Sequence, residues 1–184
     1  MLAIIIAERL KYNLVENRKP IHLCTTARVL RAQVFPKRKG YYSHFGVFSI
    51  VSSGKDIGSY SCEKDLLKKQ LIYYKKLLIE KYNAELSVVL RKRRGYSDGD
   101  GFYCSMTDLV KTELPDVPIS LDSEYEENNY YKGIHFEIYM QKENQSIEIG
   151  DGGFVDWTQK MTGSGKERCL ISGIGIDRLL IKYW

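Results

Sequence analysis

Much that would name a function at once is scarce in this 184-residue chain. Its four cysteines, Cys24, Cys62, Cys104 and Cys169, lie far apart with no CxxC pair. That spacing excludes the common zinc sites, so no metal ligands are assigned, and it excludes a disulfide scaffold. They read as reduced thiols of a cytoplasmic protein. The three histidines, His22, His44 and His135, share no short spacing, and no GxSxG surrounds a serine, so a hydrolase triad is not supported. Long apolar runs are missing too. The opening "MLAIIIAERL" has no preceding basic residues and contains an acid. It is too short to span a bilayer and reads as a helix of the domain, with no membrane partner.

Two motifs are present only in part. "TGSGKER" lacks the glycine a phosphate loop needs five residues before Gly165, where Lys160 stands, and has Glu167 in place of a Ser or Thr. "SDGDG" lacks the remaining ligands of a calcium loop and reads as a turn. The run "RKRR" at 91–94 reads as a solvated face.

What is present is enough apolar sequence (43%) for one core and a formal charge of +5, which suits an anionic ligand such as a nucleotide. Helical spacing is expected over 2–15 and after residue 60, with Ser61 as N-cap, Glu63 and Asp65 in the first turn, and Leu67, Leu71, Tyr74 and Leu78 on one stripe. Strands are expected over 21–34, 44–52, 84–92 and 169–176. Residues 133–149 read as an antiparallel pair with Ile134, Phe136 and Ile138 alternating. "GDGGFVDWTQKM" reads as a turn then a short helix, 94–128 as irregular with a short helix near 105–113, and "DRLLIKYW" as the start of a terminal helix. The fold class expected is α+β: one antiparallel sheet flanked by helices, in a single domain over 1–184.

Three separated pieces, in order, resemble the catalytic core of class II aminoacyl-tRNA synthetases, most closely histidyl-tRNA synthetase and its paralogues. "ARVLRAQVFPKRKGYYSHFGVFSI" is similar to the second motif of that family, a strand carrying Arg, a long loop, and a strand opening with Phe. "YYKGIHFEIYM" with "IEIGDGGFVDW" resembles the histidyl-type Tyr-Tyr strand and glycine-rich segment. "SGIGIDRLL" resembles the third motif. The resemblance implies ATP and Mg2+ as cofactors. It places Arg31 on the α-phosphate and the substrate carboxylate, Gln33 at the adenine amino group, Phe45 under the adenine ring, and Arg178 on the γ-phosphate. Gly173 and Gly175 would make room for the nucleotide. Tyr130, Tyr131, Gly152 and Gly153 would bind the acid substrate. Arginines at both ends of a triphosphate supply charge-assisted contacts where charge shifts as pyrophosphate leaves.

The match also departs from the family. Its first motif and its anticodon-binding domain have no counterpart here, so transfer RNA is not an expected partner. Gln33 stands where the family has an acid, the basic cluster Lys37, Arg38 and Lys39 precedes Gly40, and Glu126 stands where histidyl enzymes carry an activating Arg. Two functions are implied. One is an ATP-binding core, a ligase if active, that activates a small amino or carboxylic acid as its adenylate. The other is a non-catalytic paralogue of the ATP phosphoribosyltransferase regulatory subunit type. A homodimer or a partner enzyme subunit is expected in either case.

Overall fold

Alternation in the strands and a 3.6-residue stripe in the long helix give one sheet with helices against both faces. The structure, a computed structural model, describes residues 1–12, 19–32, 42–123 and 130–180. Its elements are α1 (Leu2–Lys11), β1 (Ile21–Leu30), β2 (His44–Lys55), α2 (Ser61–Tyr82), β3 (Glu85–Lys92), α3 (Gly99–Glu113), β4 (Ile119–Asp122), β5 (Lys132–Lys142), β6 (Gln145–Val155), α4 (Trp157–Thr162), β7 (Glu167–Gly175) and α5 (Ile176–Leu179). The sheet order is β1-β2-β7-β6-β5-β3-β4. Every pair is antiparallel except β3–β4, which is parallel.

One face is sealed by α2 and α3. Leu66, Leu67, Leu71, Tyr74 and Leu78 of α2 are fully buried against Leu90, Phe136, Ile138 and Leu170 of the sheet. Each such side chain contributes about 1.5–3 kcal/mol by leaving water. A polar chain crosses this apolar layer. Ser172 Oγ donates to Gln70 Oε1 (2.6 Å) and Gln70 Nε2 donates to Ser52 Oγ (2.8 Å). The single Ser172 proton is thereby used, so Tyr74, 2.7 Å from Ser172 Oγ, is the donor to it. His22 Nδ1 lies 2.8 Å from Ser52 Oγ at the outer end.

The opposite face is covered only in part. Ala3 and Ile6 of α1 pack with Leu23, Val51, Ile171 and Trp157. The next transverse row of the same face runs Thr25, Ser49, Gly173, Asp151, Glu137, each directly opposite the next. That row is where the clefts lie.

Several expectations are corrected. The N-cap of α2 is Tyr60, in the left-handed region, not Ser61. Glu63 lies in the first turn of α2 as expected, and it is buried there, where Arg168 reaches it. "GDGG" is strand, not turn, since it pairs along both β5 and β7. "SDGDG" opens α3, with Asp98 accepting from the Gly101 N–H (2.9 Å). α3 is longer than expected, and residues 119–122 form a strand. "RKRR" is not a solvated face. Lys92 and Arg93 are buried, and Arg91 is paired with Glu137 (2.8 Å) and Asp122. α5 is described only as far as Leu179, and residues 181–184 lie outside the described residues.

Candidate functional site

A β-bulge shapes the site. In β6, Ile138 faces Gly150 but Tyr139 faces Glu148, so Ile149 is an extra residue. In a regular strand, residues 148 and 151 would point to opposite faces. The bulge resets the phase, so Ile149 turns into the core while Glu148 and Asp151 both line the open face. Gly150 is required where the bulge meets β7. A Cβ there would lie 2.0 Å from the Gly173 carbonyl oxygen and 2.7 Å from Ile174 Cα.

The first cleft, about 240 Å³, is lined by Arg31, Phe45, Gly173, Gly175 and Arg178, with Glu148, Asp151 and Asp177 among its acids. Five residues expected from the resemblance, separated by up to most of the chain, thus converge on one cavity. Arg31 is fixed at its backbone by an N–H bond to the Ser43 carbonyl (2.7 Å), and its guanidinium sits 4.9 Å from the Phe45 ring centroid. Asp177 accepts from the Gly46 N–H (2.5 Å), which pins α5 to β2. Arg178 donates to the Glu148 carbonyl (2.6 Å), and its Nη1 lies 3.6 Å from the Glu148 carboxylate. The Asp-Arg pair near the end of the chain therefore has a division of labour: the acid locks the helix, and the base faces the cleft. Gln33, Glu126 and the Lys37–Lys39 cluster lie outside the described residues.

A second cleft, about 460 Å³, shares Asp151 and Gly173 with the first. Tyr130, Tyr131, Trp157, Val51 and Ile171 form much of its wall. Tyr130 meets Tyr131 and Trp157 edge-on, at 4.8 and 5.8 Å between centroids. Gly152 and Gly153 line neither cleft. The missing side chain of Gly152 faces Phe136 and Ser172, and that of Gly153 makes room for the Tyr131 ring.

Asp151 on this wall, and His135 and Arg93 behind it, were not singled out as site residues by sequence reasoning. Asp151 Oδ2 accepts from the Tyr131 hydroxyl (3.1 Å) and lies 3.1 Å from His135 Nε2. Tyr131 stacks flat on His135, 4.9 Å between centroids and 11° between planes. Behind them, the buried Arg93 places Nη2 3.2 Å from His135 Nδ1. A guanidinium can only donate, so Nδ1 accepts, and the ring proton sits on Nε2 and points at Asp151. Burial, with Asp151 next in effect, pushes the Tyr131 hydroxyl pKa well above its ordinary value, so it stays a donor. The signal for His135 was present in the sequence: it alternates with Ile134 and Phe136 and must face away from the core.

Burial pushes the Cys62 and Cys169 thiols up to about 12, so both are inert. Among the described residues no group of three or more potential metal ligands converges, and no helix is long and apolar enough to cross a membrane.

No protein-family model matches the sequence, and no curated protein matches it. Solved structures do resemble it. Apo histidyl-tRNA synthetase from S. aureus superposes with TM-score 0.65 at 16% identity, over 96% of this chain and 48% of that one. An ATP phosphoribosyltransferase regulatory subunit/histidyl-tRNA synthetase from Bacillus halodurans C gives 0.64 at 13%, over 98% of this chain and 63% of that one. The RNA binding domain of threonyl-tRNA synthetase from Cryptosporidium parvum Iowa II gives 0.66 at 11%, over 98% and 48%. The chain thus spans about half the length of the synthetase chains it resembles. At such identities the likeness speaks to architecture alone: the chain has the fold of a class II aminoacyl-tRNA synthetase-like core.

Proposed function

We propose that the chain binds ATP in the first cleft and activates a small amino or carboxylic acid, held in the second cleft, as its adenylate. The observation that carries this reading is the convergence of Arg31, Phe45, Gly173, Gly175 and Arg178 on one cavity. Arg178 and Arg31 serve the two ends of the triphosphate, where paired donors hold and balance shifting charge. Phe45 offers stacking area for adenine. The Arg31 guanidinium now covers that ring, so binding requires it to swing from the ring to the phosphates. The substrate carboxylate itself is the nucleophile at the α-phosphorus, so the protein supplies position and charge rather than a covalent partner.

The cleft also fits Mg2+, which needs only one or two carboxylates beside phosphate oxygens. Glu148, lining the cleft beside Arg178, would hold it. Bound there, the ion would neutralise phosphate charge as pyrophosphate departs.

Titration calorimetry with Mg·ATP, followed by ATP–pyrophosphate exchange across a panel of amino and carboxylic acids, tests the reading. Arg31→Ala and Arg178→Ala should each weaken ATP binding by about tenfold or more. No ATP binding, or no exchange with any acid, would end it.

A second reading, a regulatory subunit that binds without catalysis, is favoured by one observation. Arg31 and Arg178 are both engaged inside the protein, on Phe45 and Glu148. It requires binding without exchange, together with co-purification with a phosphoribosyltransferase.

A further inference from the structure

We propose that a third cavity, on the α2 face of the sheet, binds a small aromatic carboxylate, its ring against Phe48 and Tyr73 and its anion at Lys69 and His22. This site is independent of the adenylation reading. It shares no residue with the first cleft, and strand alternation turns His22, Cys24, Phe48 and Ile50 away from the row of Thr25, Ser49, Gly173 and Asp151.

The cavity exists because the sheet is wider than the helix above it. α2 rests on β2 and β7, and β1 is the edge strand beyond β2. The step between helix and edge leaves a hollow of about 250 Å³. Its floor is Cys24 opposite Ile50, and His22 opposite Ser52. Its wall is Lys69, Gln70 and Tyr73, which one helical turn brings to the same side of α2.

Most of the lining is apolar. Leu23 and Ile50 are aliphatic, and Cys24 adds an exposed thiol. The Phe48 and Tyr73 rings stack at 5.6 Å between centroids and 21° between planes, and Tyr73 is still 42% exposed. A flat ring can continue such a stack, where a branched aliphatic group cannot. Burial, with Cys24 next in effect, raises the Tyr73 hydroxyl pKa above its ordinary value, so this wall carries no negative charge.

The polar end sets the charge of the ligand. Gln70 is buried and spends both amide hydrogens inward, on Ser52 Oγ (2.8 Å) and the Leu170 carbonyl (3.3 Å). Ser52 thus accepts from Gln70, and among the described residues His22 Nδ1, 2.8 Å away, is the acceptor for its own proton. His22 therefore keeps its ring proton on Nε2, at the far side of the ring from Ser52, as a donor. Lys69 is the one ammonium lining the cavity, and no acid among the described residues lines it. Asp65 holds Lys69 at 2.7 Å in a half-exposed pair along the helix, which contributes little and leaves ammonium hydrogens for a second acceptor. Two donors at one end of an apolar hollow match a carboxylate. A cation would meet Lys69, and a neutral head group would leave it unmatched.

The test is alkylation of the full chain by iodoacetamide, followed residue by residue in a mass spectrometer. Cys24 reports on the cavity, and Cys104, exposed but outside it, is the reference. The probes are benzoate, phenylacetate and phenylpropionate, the amide of each, cyclohexylacetate and phenethylamine. At ten times its Kd, at least one aromatic acid should slow alkylation of Cys24 about tenfold and leave Cys104 unchanged. Its amide should bind about tenfold more weakly, and cyclohexylacetate should bind about threefold more weakly than phenylacetate. Phenethylamine should give no protection. In Lys69→Gln the preference for acid over amide should fall to about threefold or less, and Tyr73→Leu should weaken the aromatic acid about threefold or more. Should either variant fail to fold, protection of the unaltered chain still decides. An acid held in the first cleft would leave Cys24 alkylation unchanged, because Cys24 is on the other face. The proposal is overturned if no aromatic acid protects Cys24, if Cys104 is protected equally, if an amide or the amine protects as well as the acid, or if Lys69→Gln keeps the full preference. Protection that rises with protein concentration alone would give the cavity to a second copy of the chain and overturn it as well.

Discussion

Removing Arg168 should be among the most damaging single changes in the molecule. Its guanidinium is spread over Glu63 Oε1 (2.7 Å from Nε), Asp56 Oδ2 (2.5 Å from Nη2) and the carbonyls of Gly165 (2.9 Å) and Glu167 (3.0 Å). The Glu63 side chain is only 1% exposed, and Asp56 is 30% exposed. In Arg168→Met, Asp56 can turn to water. Glu63 cannot, and it keeps only the Tyr96 hydroxyl at 3.1 Å. An orphaned buried charge costs about 3–5 kcal/mol. At this chain length that lowers the melting temperature by roughly 6–20 °C. Thermal and urea denaturation measure it directly. The companion variant Glu63→Leu/Arg168→Met removes the charge along with its partner, and it should be more stable than Arg168→Met alone, because the desolvated carboxylate is gone. A single-variant loss under about 1 kcal/mol, or a double variant weaker than the single, would refute the view that Glu63 is charged, buried and held by Arg168.

Gly150→Ala should cost about 3 kcal/mol in urea denaturation, because its Cβ meets backbone of β7 rather than a movable side chain; a loss under about 1 kcal/mol would mean the bulge is adaptable. His22 has its pKa lowered from 6.5, first by burial and then by Lys69. A depressed histidine stabilises fully above its unfolded value and loses that contribution as pH falls through the folded one, so stability should drop between neutral pH and about pH 5. His22→Gln should flatten that drop, and an unchanged slope would assign the acid sensitivity elsewhere. Gln70→Leu should cost about 1–3 kcal/mol, since Ser52 and Ser172 both lose a buried partner; near-neutral stability would show that the two serines re-pair with each other or with water.

The layers were legible because they are local. The stripe of Leu67, Leu71, Tyr74 and Leu78 fixes a helix face by period alone, and all four are buried. Ile134, Phe136 and Ile138 do the same for β5. What misled was residue type taken without partners. Glycines in "GDGG" suggest a turn, yet here they let β6 run close to β7 and leave space for Tyr131 and Phe136. "RKRR" suggests solvent, but the Arg93 N–H bonds to the Gly133 carbonyl (2.7 Å), and its side chain is buried beside His135. No local window holds that pairing. The strand 119–122 was invisible for the same reason, since its partner is β3 in parallel. In the site, Arg31, Phe45 and Arg178 could be grouped only through the resemblance, because spacing does not join residues that far apart. Asp151 and Glu148 could not be grouped at all, since their common face depends on the bulge at Ile149.

That bulge connects the architecture to the chemistry. Without it, β6 would present either Glu148 or Asp151 to the open face, not both. With both, the cleft gains one carboxylate beside Arg178 and another on the wall toward the aromatic cavity. Glu148 sits against Arg178, and Asp151 stands on the wall shared with the second cleft. One extra residue in one strand thus sets two carboxylates, three positions apart in sequence, on the same open face as Arg31 and Arg178.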